Sequence, residues 1–191
     1  MKRFETLALR GRPSWAACRG LFAALLTGLT LVGCAGLGGP GLQPGSSTRA
    51  DLDRVLGAPA MSWPEPGGGQ QLAYPRGPEG FQTWMARVDA EGRLVGIENV
   101  LDMPHFARIE PGMSQEQVLR ILGPSYPGWT VYFKARDELV WEWRFCDVYS
   151  EPARFDVLFD GSTGKVRSTM SMTERLSLPW GRGNRRDWCS R

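Results

Sequence analysis

The sequence predicts an α+β fold, a tandem repeat of a short helical segment packed on a three- to four-stranded antiparallel sheet. The first observation is that the stretch GMSQEQVLRILGPS (112–125) has a counterpart 66 residues earlier, STRADLDRVLGAP (47–59). The second is that runs of alternating apolar and polar residues follow each stretch, as in antiparallel strands with one buried face. Such a face needs a cover, which an amphipathic helix supplies.

The second of these helices has a defined start and end in the sequence. Ser114 is a good N-cap, and Gln117 three residues later completes a capping box. Gly123 can adopt the left-handed conformation that ends a helix, and Pro124 prevents its continuation. An apolar stripe at i, i+3 and i+4 is expected to face the sheet, formed by Val118, Ile121 and Leu122.

The first helix follows the same pattern more loosely. Thr48 is the predicted N-cap, Asp51 lies three residues later, and Gly57 is the predicted end. The expected apolar stripe consists of Leu52, Val55 and Leu56. Neither helix carries a side chain on its exposed face that suggests catalysis.

Strand-like runs joined by short turns follow both helices. After the first helix the runs are QLAY near Tyr74, 81–89 and 93–101, with a turn at 89–92. After the second they are TVYFK, 139–146, 154–160 and 165–171, with a turn at 160–164. Each unit therefore reads as a helix followed by an antiparallel meander.

Aromatic residues dominate one face of the predicted second sheet. In 139–146 that face comprises Leu139, Trp141, Trp143 and Phe145, and the next run continues it with Phe155, Val157 and Phe159. We therefore expect Trp141 and Trp143 in the core. The remaining tryptophans that are less easily placed, either packed or exposed to a partner, are Trp63, Trp84, Trp129, Trp180 and Trp188.

The first 33 residues have the features of an export signal. A basic segment precedes an uncharged apolar run at 21–33, whose 13 residues are too few to span a bilayer. The run ends in a string that resembles the lipobox of bacterial lipoproteins, namely Leu31, Val32, Gly33 and Cys34. The resemblance implies cleavage before Cys34, acylation of that cysteine and, because Ala35 rather than aspartate follows, delivery to the outer membrane. The glycine- and proline-rich stretch up to Ser47 is interpreted as a flexible tether with a reach of about 20 Å.

Removal of the signal changes the charge of the chain. The whole chain has 23 Lys and Arg against 20 Asp and Glu, but five of the basic residues and one of the acidic residues precede Cys34. The mature chain therefore has 18 against 19, and this balance gives no support to nucleic-acid binding. Basic residues concentrate in 174–191, which is either a solvated tail or a contact for anionic lipid or an acidic partner.

The four cysteines divide between the signal, the anchor and the domain. Cys18 lies within the signal, and Cys34 is expected to carry lipid. Cys146 and Cys189 remain. In an oxidising periplasm this pair either forms a disulfide, which would tie the C-terminal segment to the domain, or stays as two free thiols.

Motifs for catalysis or metal binding have little support. The segment GSTGK (161–165) lacks the spacing and the following Ser or Thr of a phosphate-binding loop. His105, the only histidine, is interpreted as a linker residue, and Cys146 has no evident histidine partner. Asp156 and Asp160 lie on the polar side of a predicted strand, where solvation explains them. We therefore expect no enzymatic activity, no metal and no cofactor.

A lipobox, a tether, a capped helix, a W-x-W strand and an FD-x-x-x-G-x-V turn together resemble the SmpA/OmlA lipoprotein family, the BamE-like proteins. The matching positions of the second unit are Gly112, Met113, Ser114, Val118, Leu122, Gly123, Trp141, Trp143, Phe159, Asp160, Gly164 and Val166. The first unit matches at Thr48, Leu52, Leu56, Gly57 and Pro59. The chain departs from the family pattern in two ways: the second unit has LGPS in place of LG-x-P, and the chain has two units rather than one.

The resemblance implies a non-catalytic lipoprotein, anchored in outer-membrane lipid and facing the periplasm, that binds protein partners as an accessory of the β-barrel assembly machinery. The tandem fold is also similar to that of secreted β-lactamase inhibitor proteins, so an inhibitor or ligand-binding module that uses the sheet face is a second hypothesis. A hydrolase would require a concave pocket with converging polar groups. The predicted segments are a signal peptide (1–33), the lipidated cysteine and tether (34–47), two BamE-like units (48–104 and 105–173) and a basic tail (174–191).

Replacement of the lipobox cysteine tests the anchor. We expect Cys34→Ser to abolish incorporation of radiolabelled palmitate, because the serine supplies no thiol for the thioether to lipid. The matched control is Cys18→Ser, which changes a cysteine of the signal and should leave labelling intact. Labelling that persists in Cys34→Ser would contradict the lipoprotein assignment.

Overall fold

The apolar faces of both predicted helices pack against antiparallel sheets. The computed structural model describes residues 41–76 and 80–174 together with Cys189, all within one unit that spans Leu37–Arg191. This part of the chain contains two antiparallel four-stranded sheets and few helices, which is the predicted α+β class.

The first sheet is a meander that follows the first helix. In chain order its elements are α1 (Arg49–Leu56), β1 (Met61–Pro64), β2 (Gln70–Pro75), β3 (Thr83–Val88) and β4 (Leu94–Asn99), and the strands pair in the order β1-β2-β3-β4. Strand β1 was not predicted from the sequence. It has only four residues, ends in Pro64 and lies at an edge of the sheet, so it shows too little alternation to recognise.

The second sheet is a longer meander. Its half of the chain consists of α2 (Met103–Phe106), α3 (Gln115–Leu122), β5 (Val131–Phe133), β6 (Glu138–Cys146), β7 (Pro152–Asp160) and β8 (Val166–Thr173), with the strand order β5-β6-β7-β8. Helix α2 replaces what the sequence suggested was a linker. It begins at Asp102, whose side chain accepts a hydrogen bond from the backbone N–H of His105 at 3.0 Å.

The two longer helices have the same terminal chemistry. Both have the predicted capping box, in which the backbone N–H of Thr48 donates to Asp51 at 2.9 Å and that of Ser114 donates to Gln117 at 2.8 Å. Both end at a glycine with a positive φ, +84° at Gly57 and +72° at Gly123. These are the caps that the sequence predicted.

Each helix is also tied to its own sheet in the same way. Thr48 forms an isolated antiparallel bridge with Arg93, and Ser114 forms one with Lys165. Directly beside these bridges, the first residue of the last strand donates its N–H to the segment before the helix, from Leu94 to Ser47 at 2.8 Å and from Val166 to Met113 at 2.9 Å. The entry to each helix therefore pairs with the start of the final strand of its meander.

The first sheet is covered on both faces. On one face, Leu52 of α1 packs with side chains of the sheet that are nearly inaccessible, namely Leu72, Tyr74, Ala86, Val88 and Leu94. On the other face, Trp63, Ala73 and Met85 join a second cluster that contains Val118 and Leu122 of α3. The first sheet therefore lies between α1 and α3.

The same second cluster includes the aromatic face of the second sheet. Its members from that sheet are Trp143, Phe145, Ala153, Phe155, Val157, Phe159 and Val166, and Phe106 of α2 stacks on Phe155 with ring centroids 4.1 Å apart. Trp143 is buried as predicted, whereas Trp141 is half-buried against the cluster. The layers follow in the order α1, first sheet, α2 with α3, second sheet.

The end of α3 is the point where the two halves meet most closely. The indole N–H of Trp143 on β6 donates to the carbonyl of Gly123 at 3.3 Å. On the other side, a Cβ at Gly123 would lie 2.8 Å from Cγ2 of Thr83 on β3 and 3.3 Å from Cβ of Ala73 on β2. Only a glycine fits this position without displacing the first sheet.

Two expectations about the first half need correction. The stretch before α1 is not a tether that avoids packing, because Leu42 is buried in the first cluster and the N–H of Gly45 donates to the carbonyl of Leu94 at 2.8 Å. The stripe of α1 is narrower than predicted, since Leu52 is buried but Val55 is exposed. A helix of two turns presents only a short line of contact to the sheet.

A matched pair of substitutions measures the contact between α3 and the first sheet. Gly57 and Gly123 share a backbone region that is open almost only to glycine, so alanine should cost about 1–3 kcal/mol at either position. Nothing lies within 4 Å of a Cβ at Gly57. We therefore expect Gly123→Ala to lower the free energy of unfolding by about 1–3 kcal/mol more than Gly57→Ala, measured by urea denaturation. Equal losses would show that the contact with Thr83 carries no energy.

Candidate functional site

The outer face of the second sheet carries a cluster of charged side chains. In the register of β6 and β7, Glu142 lies opposite Asp156 and Arg144 lies opposite Arg154. Because side chains alternate along a strand, all four project from the face opposite the aromatic one. Glu174 directly follows β8 and joins them. We call these five residues the charge cluster.

The charge cluster is buried, although its members look like solvated residues in the sequence. Asp156 is only 7% exposed, and Arg144 and Glu174 are equally inaccessible. The expectation that solvent explains Asp156 is therefore wrong. For Asp160 the side chain is 26% exposed and lies 2.5 Å from the guanidinium of Arg167, so it is a partly exposed ion pair. The alternation of the sequence showed which residues share the outer face, but not that the face is covered.

Two arginines pair with the acids of the cluster. The guanidinium of Arg144 contacts both carboxylate oxygens of Glu174, with Nη2 donating to Oε2 at 2.9 Å. Arg154 lies 3.0 Å from Oε1 of Glu142 and 3.6 Å from Oε1 of Glu174. Such forked contacts orient the planar guanidinium group as well as neutralising it.

Aromatic rings cover the two guanidinium groups. Arg144 lies 4.2 Å from the ring centroid of Phe81, and Arg154 lies 5.1 Å from that of Trp129. Trp129 in turn contacts Tyr126 edge to face, with centroids 4.7 Å apart. Cation–π contacts of this kind strengthen when the groups are removed from water. Trp129, which the sequence could not place, therefore lies over the charge cluster.

A pair of carboxyl groups lies at the centre of the cluster. Burial, with a contribution from the neighbouring Glu142 carboxylate, raises the pKa of Asp156 to about 6. Burial also raises the pKa of Glu142. Oδ1 of Asp156 has no hydrogen-bond partner among the described residues, and Oε1 of Glu142 is near Arg154 without the alignment of a hydrogen bond. A proton bound by this pair relieves the repulsion between two buried carboxylates.

A cavity of about 400 Å³ lies where the two halves meet, beside the charge cluster. Its lining residues are Ala60, Pro75, Gly80, Gln82, Thr83, Leu101, Pro124, Ser125, Tyr126, Pro127, Glu142, Trp143 and Arg144. Most of the wall is apolar, and the charged side chains are one acid and one arginine. Apolar walls with a few polar groups are typical of pockets that bind small molecules.

Exposed apolar side chains concentrate at an edge strand and at one hairpin of the second sheet. All three residues of β5 are exposed, Val131 to 44%, Tyr132 to 54% and Phe133 to 42%, and at the β6–β7 turn Val148 is 79% and Tyr149 is 82% exposed. Asp147 fixes that turn, because its carboxylate accepts hydrogen bonds from the backbone N–H groups of Tyr149 and Glu151 at 2.9 and 2.8 Å.

A disulfide lies at the base of the same hairpin. Cys146, the last residue of β6, is bonded to Cys189 with an S–S distance of 2.11 Å. Of the two alternatives open at the sequence level, the structure has the bridge. It closes a loop of 43 residues and links the C-terminal end of the chain to the outer face of the second sheet.

The sole histidine lies in α2 and is held between two acids. Nδ1 of His105 is 2.6 Å from Oδ1 of Asp102, and Nε2 is 3.6 Å from Oε2 of Glu98. Among the described residues no group of three or more His, Cys, Asp or Glu side chains is arranged to hold a metal ion. The interpretation of His105 as a linker residue missed this arrangement, which needs β4 and α2 to meet.

The fold-motif residues occupy structural positions. Gly57, Ser114 and Gly123 terminate helices. Asp160 and Gly164 form the β7–β8 turn, in which the carboxylate of Asp160 accepts from the N–H of Thr163 at 2.8 Å. The other motif residues occupy the helix approaches and the core, namely Pro59, Gly112, Met113, Trp141 and Trp143.

Part of the predicted membrane-targeting apparatus lies outside the described residues. This applies to Cys34, to the lipobox residues Leu31, Val32 and Gly33, and to most of the basic tail with Trp180 and Trp188. In the described ranges, no helix has the length and apolar character needed to cross a bilayer.

No protein-family model and no curated protein matches the chain. Among solved structures, an extracellular protein containing a SCP domain from Bacillus anthracis str. Ames aligns with 74% of this chain at 13% sequence identity, with a TM-score of 0.26. The aligned part spans 49% of that protein. A TM-score this low carries no argument about fold or function, so the residues of this chain alone bear on its role.

The carboxyl pair gives a test by pH. Between its ordinary value of 3.8 and about 6, Asp156 keeps its proton in the folded chain but releases it in the unfolded chain. Its contribution to stability is therefore complete below pH 3.8 and declines as the pH rises to about 6. We expect Asp156→Asn to be stabilising relative to the native chain at pH 7.5 but not at pH 3.5, measured by urea denaturation at both values. A difference between variant and native chain that does not change with pH would contradict the assignment.

Proposed function

We propose that this chain is an outer-membrane-anchored lipoprotein that faces the periplasm and binds protein partners without catalysis, in outer-membrane protein assembly or envelope maintenance. The lipobox ending at Cys34 supports the location. The exposed apolar strand β5 supports partner binding, and it is the observation that carries this proposal. Contiguous exposed apolar residues on a soluble domain mark interaction sites.

We also propose that the two halves are copies of one BamE-like unit of the SmpA/OmlA family. The recurrence of the capping box, of the positive-φ glycine and of the bridge from helix entry to last strand supports this. These features correspond over the 66-residue offset of the two helix sequences. The doubled unit gives this chain two sheets and two edges more than a single unit would have.

Strand β5 is suited to an extended segment of a partner. It is the first strand of the order β5-β6-β7-β8, so its other edge pairs with no strand of the described chain. Proteins normally protect such edges, and an added strand from a partner satisfies them. The hydroxyl of Tyr132 donates to Asp137 at 2.6 Å, and Arg136 lies 4.6 Å from the ring centroid of Phe133. These contacts hold both aromatic side chains in place before a partner arrives, which lowers the entropy lost on binding.

A second candidate function is a ligand-binding module. The cavity of about 400 Å³ at the seam of the halves favours it, because its volume and apolar walls are those of small-molecule pockets. The centre of the outer sheet face is less suited to docking a protein, since Phe81 and Trp129 already cover the arginines there. The ligand of this module would need an apolar body and a polar group that meets Glu142 or Arg144.

Site-specific photocrosslinking tests the docking strand. A photoreactive residue at Val131 should form adducts with an envelope protein in intact cells, because β5 lies in the proposed interface. The matched control is Val95 of β4, an exposed valine on an edge strand of the first sheet. We expect at least tenfold more adduct at Val131 than at Val95.

The identity of the adduct decides the assembly role. Recovery of a component of the β-barrel assembly machinery, together with increased outer-membrane permeability after deletion of the gene, would support it. Equal adducts at both valines would contradict docking on β5. Adducts only with unrelated proteins, and unchanged permeability, would overturn the assembly role.

A further inference from the structure

A second, more polar cavity lies between the first sheet and the two central helices. Its volume is about 220 Å³, and it is lined by Glu65, Gln71, Met85, Arg87, Glu98, Val100, His105, Arg108, Arg120 and Ile121. Gln71, Met85 and Arg87 project from the face of the first sheet that α3 covers, since Gln71 pairs with Arg87 in the register of β2 and β3. His105 and Arg108 come from α2 and the residues after it. At about 30 Å³ for each water, this space holds roughly seven waters, so its ligand is a small molecule.

Arginines supply most of the charge of this cavity. The guanidinium groups of Arg87 and Arg108 form no hydrogen bond or ion pair with any described residue. Arg120 is already engaged, because it lies 3.4 Å from Glu116 and 5.9 Å from the ring centroid of Trp63. Two arginines therefore border the cavity with their donors unused. The fork of N–H groups on a guanidinium matches the oxygens of a carboxylate or a phosphate.

The other polar groups of the cavity are held in place or accept hydrogen bonds. Asp102 fixes the ring of His105 through Nδ1, so that Nε2 is directed towards Glu98 at a distance longer than a hydrogen bond. Glu65 and Glu98 are acceptors that a simple anion would leave unsatisfied. A ligand that carries its own hydroxyl or amino donor next to its anionic group satisfies both sets.

From this arrangement we propose that the cavity binds a small oxyanion, a carboxylate or a phosphate, which also carries a hydrogen-bond donor. Arg87 and Arg108 bind the anionic oxygens, and Glu98 accepts from the donor of the ligand. The site is separate from β5 and from the cavity beside the charge cluster, and it does not depend on the partner-binding role. Neither the sequence motifs nor the resemblance to a family pointed to it.

The single histidine makes the site observable by NMR. In the full-length purified chain at constant pH 7 and constant ionic strength, the imidazole signals of His105 are followed during titration with inorganic phosphate and, in a second arm, with malate. We expect saturable shifts with a millimolar or tighter Kd in at least one arm, and the tighter arm identifies the anion. Chloride at equal ionic strength should give no saturable shift.

Substitution of the arginines separates the site from general ionic effects. We expect the double variant Arg87→Gln with Arg108→Gln to weaken binding at least tenfold. The control is Arg93→Gln, an exposed arginine before β4 that does not line the cavity, and it should keep the native Kd. Shifts of the native chain that rise linearly without saturation in both arms, or an unchanged Kd in the double variant, would overturn the proposal. The crosslinking result at Val131 is independent of either outcome.

Discussion

The tight junction at the end of α3 is the contact on which the arrangement of the layers depends. Gly123 accepts a hydrogen bond from Trp143 of the second sheet, while its missing side chain leaves room for Thr83 and Ala73 of the first. A helix in this position buries two faces rather than one. The apolar residues of α3 therefore complete a core shared by both sheets, whereas α1 packs on one sheet only. Helices that are nearly identical in sequence thus have different structural roles because of what lies behind them.

The burial of five charged side chains on a sheet face is an unusual use of energy. Removing charges from water costs several kcal/mol for each ion, and pairing offsets this only when the geometry is good. Here Arg144 has a forked contact with Glu174, and aromatic rings lie over both arginines. The carboxyl pair Glu142 and Asp156 is the weak element, since its repulsion is relieved by protonation. A face that gains so little stability from charge is better explained by specificity of packing or by the adjoining cavity than by stability alone.

The surfaces left for function follow from the doubled architecture. Because α3 and its neighbours cover the inner face of the first sheet, both proposed small-molecule cavities form at the edges of this contact. The apolar surface suited to a protein partner lies elsewhere, on β5 and at the rigid hairpin of Tyr149. Binding of a partner and binding of a small ligand therefore use separate parts of the molecule.

The sequence by itself determined the local elements of this protein. Capping boxes, the Gly57 and Gly123 ends and the alternation of 139–146 depend on hydrogen bonds and periodicities between residues close in the chain. The α+β class follows from them. Only the tertiary structure decided which face of each element is covered, because that depends on residues 40 or more positions apart, such as Gly123 and Thr83. For this reason the burial of Asp156, the position of Trp129, the environment of His105 and both cavities were not predictable, while the caps and strands that build them were.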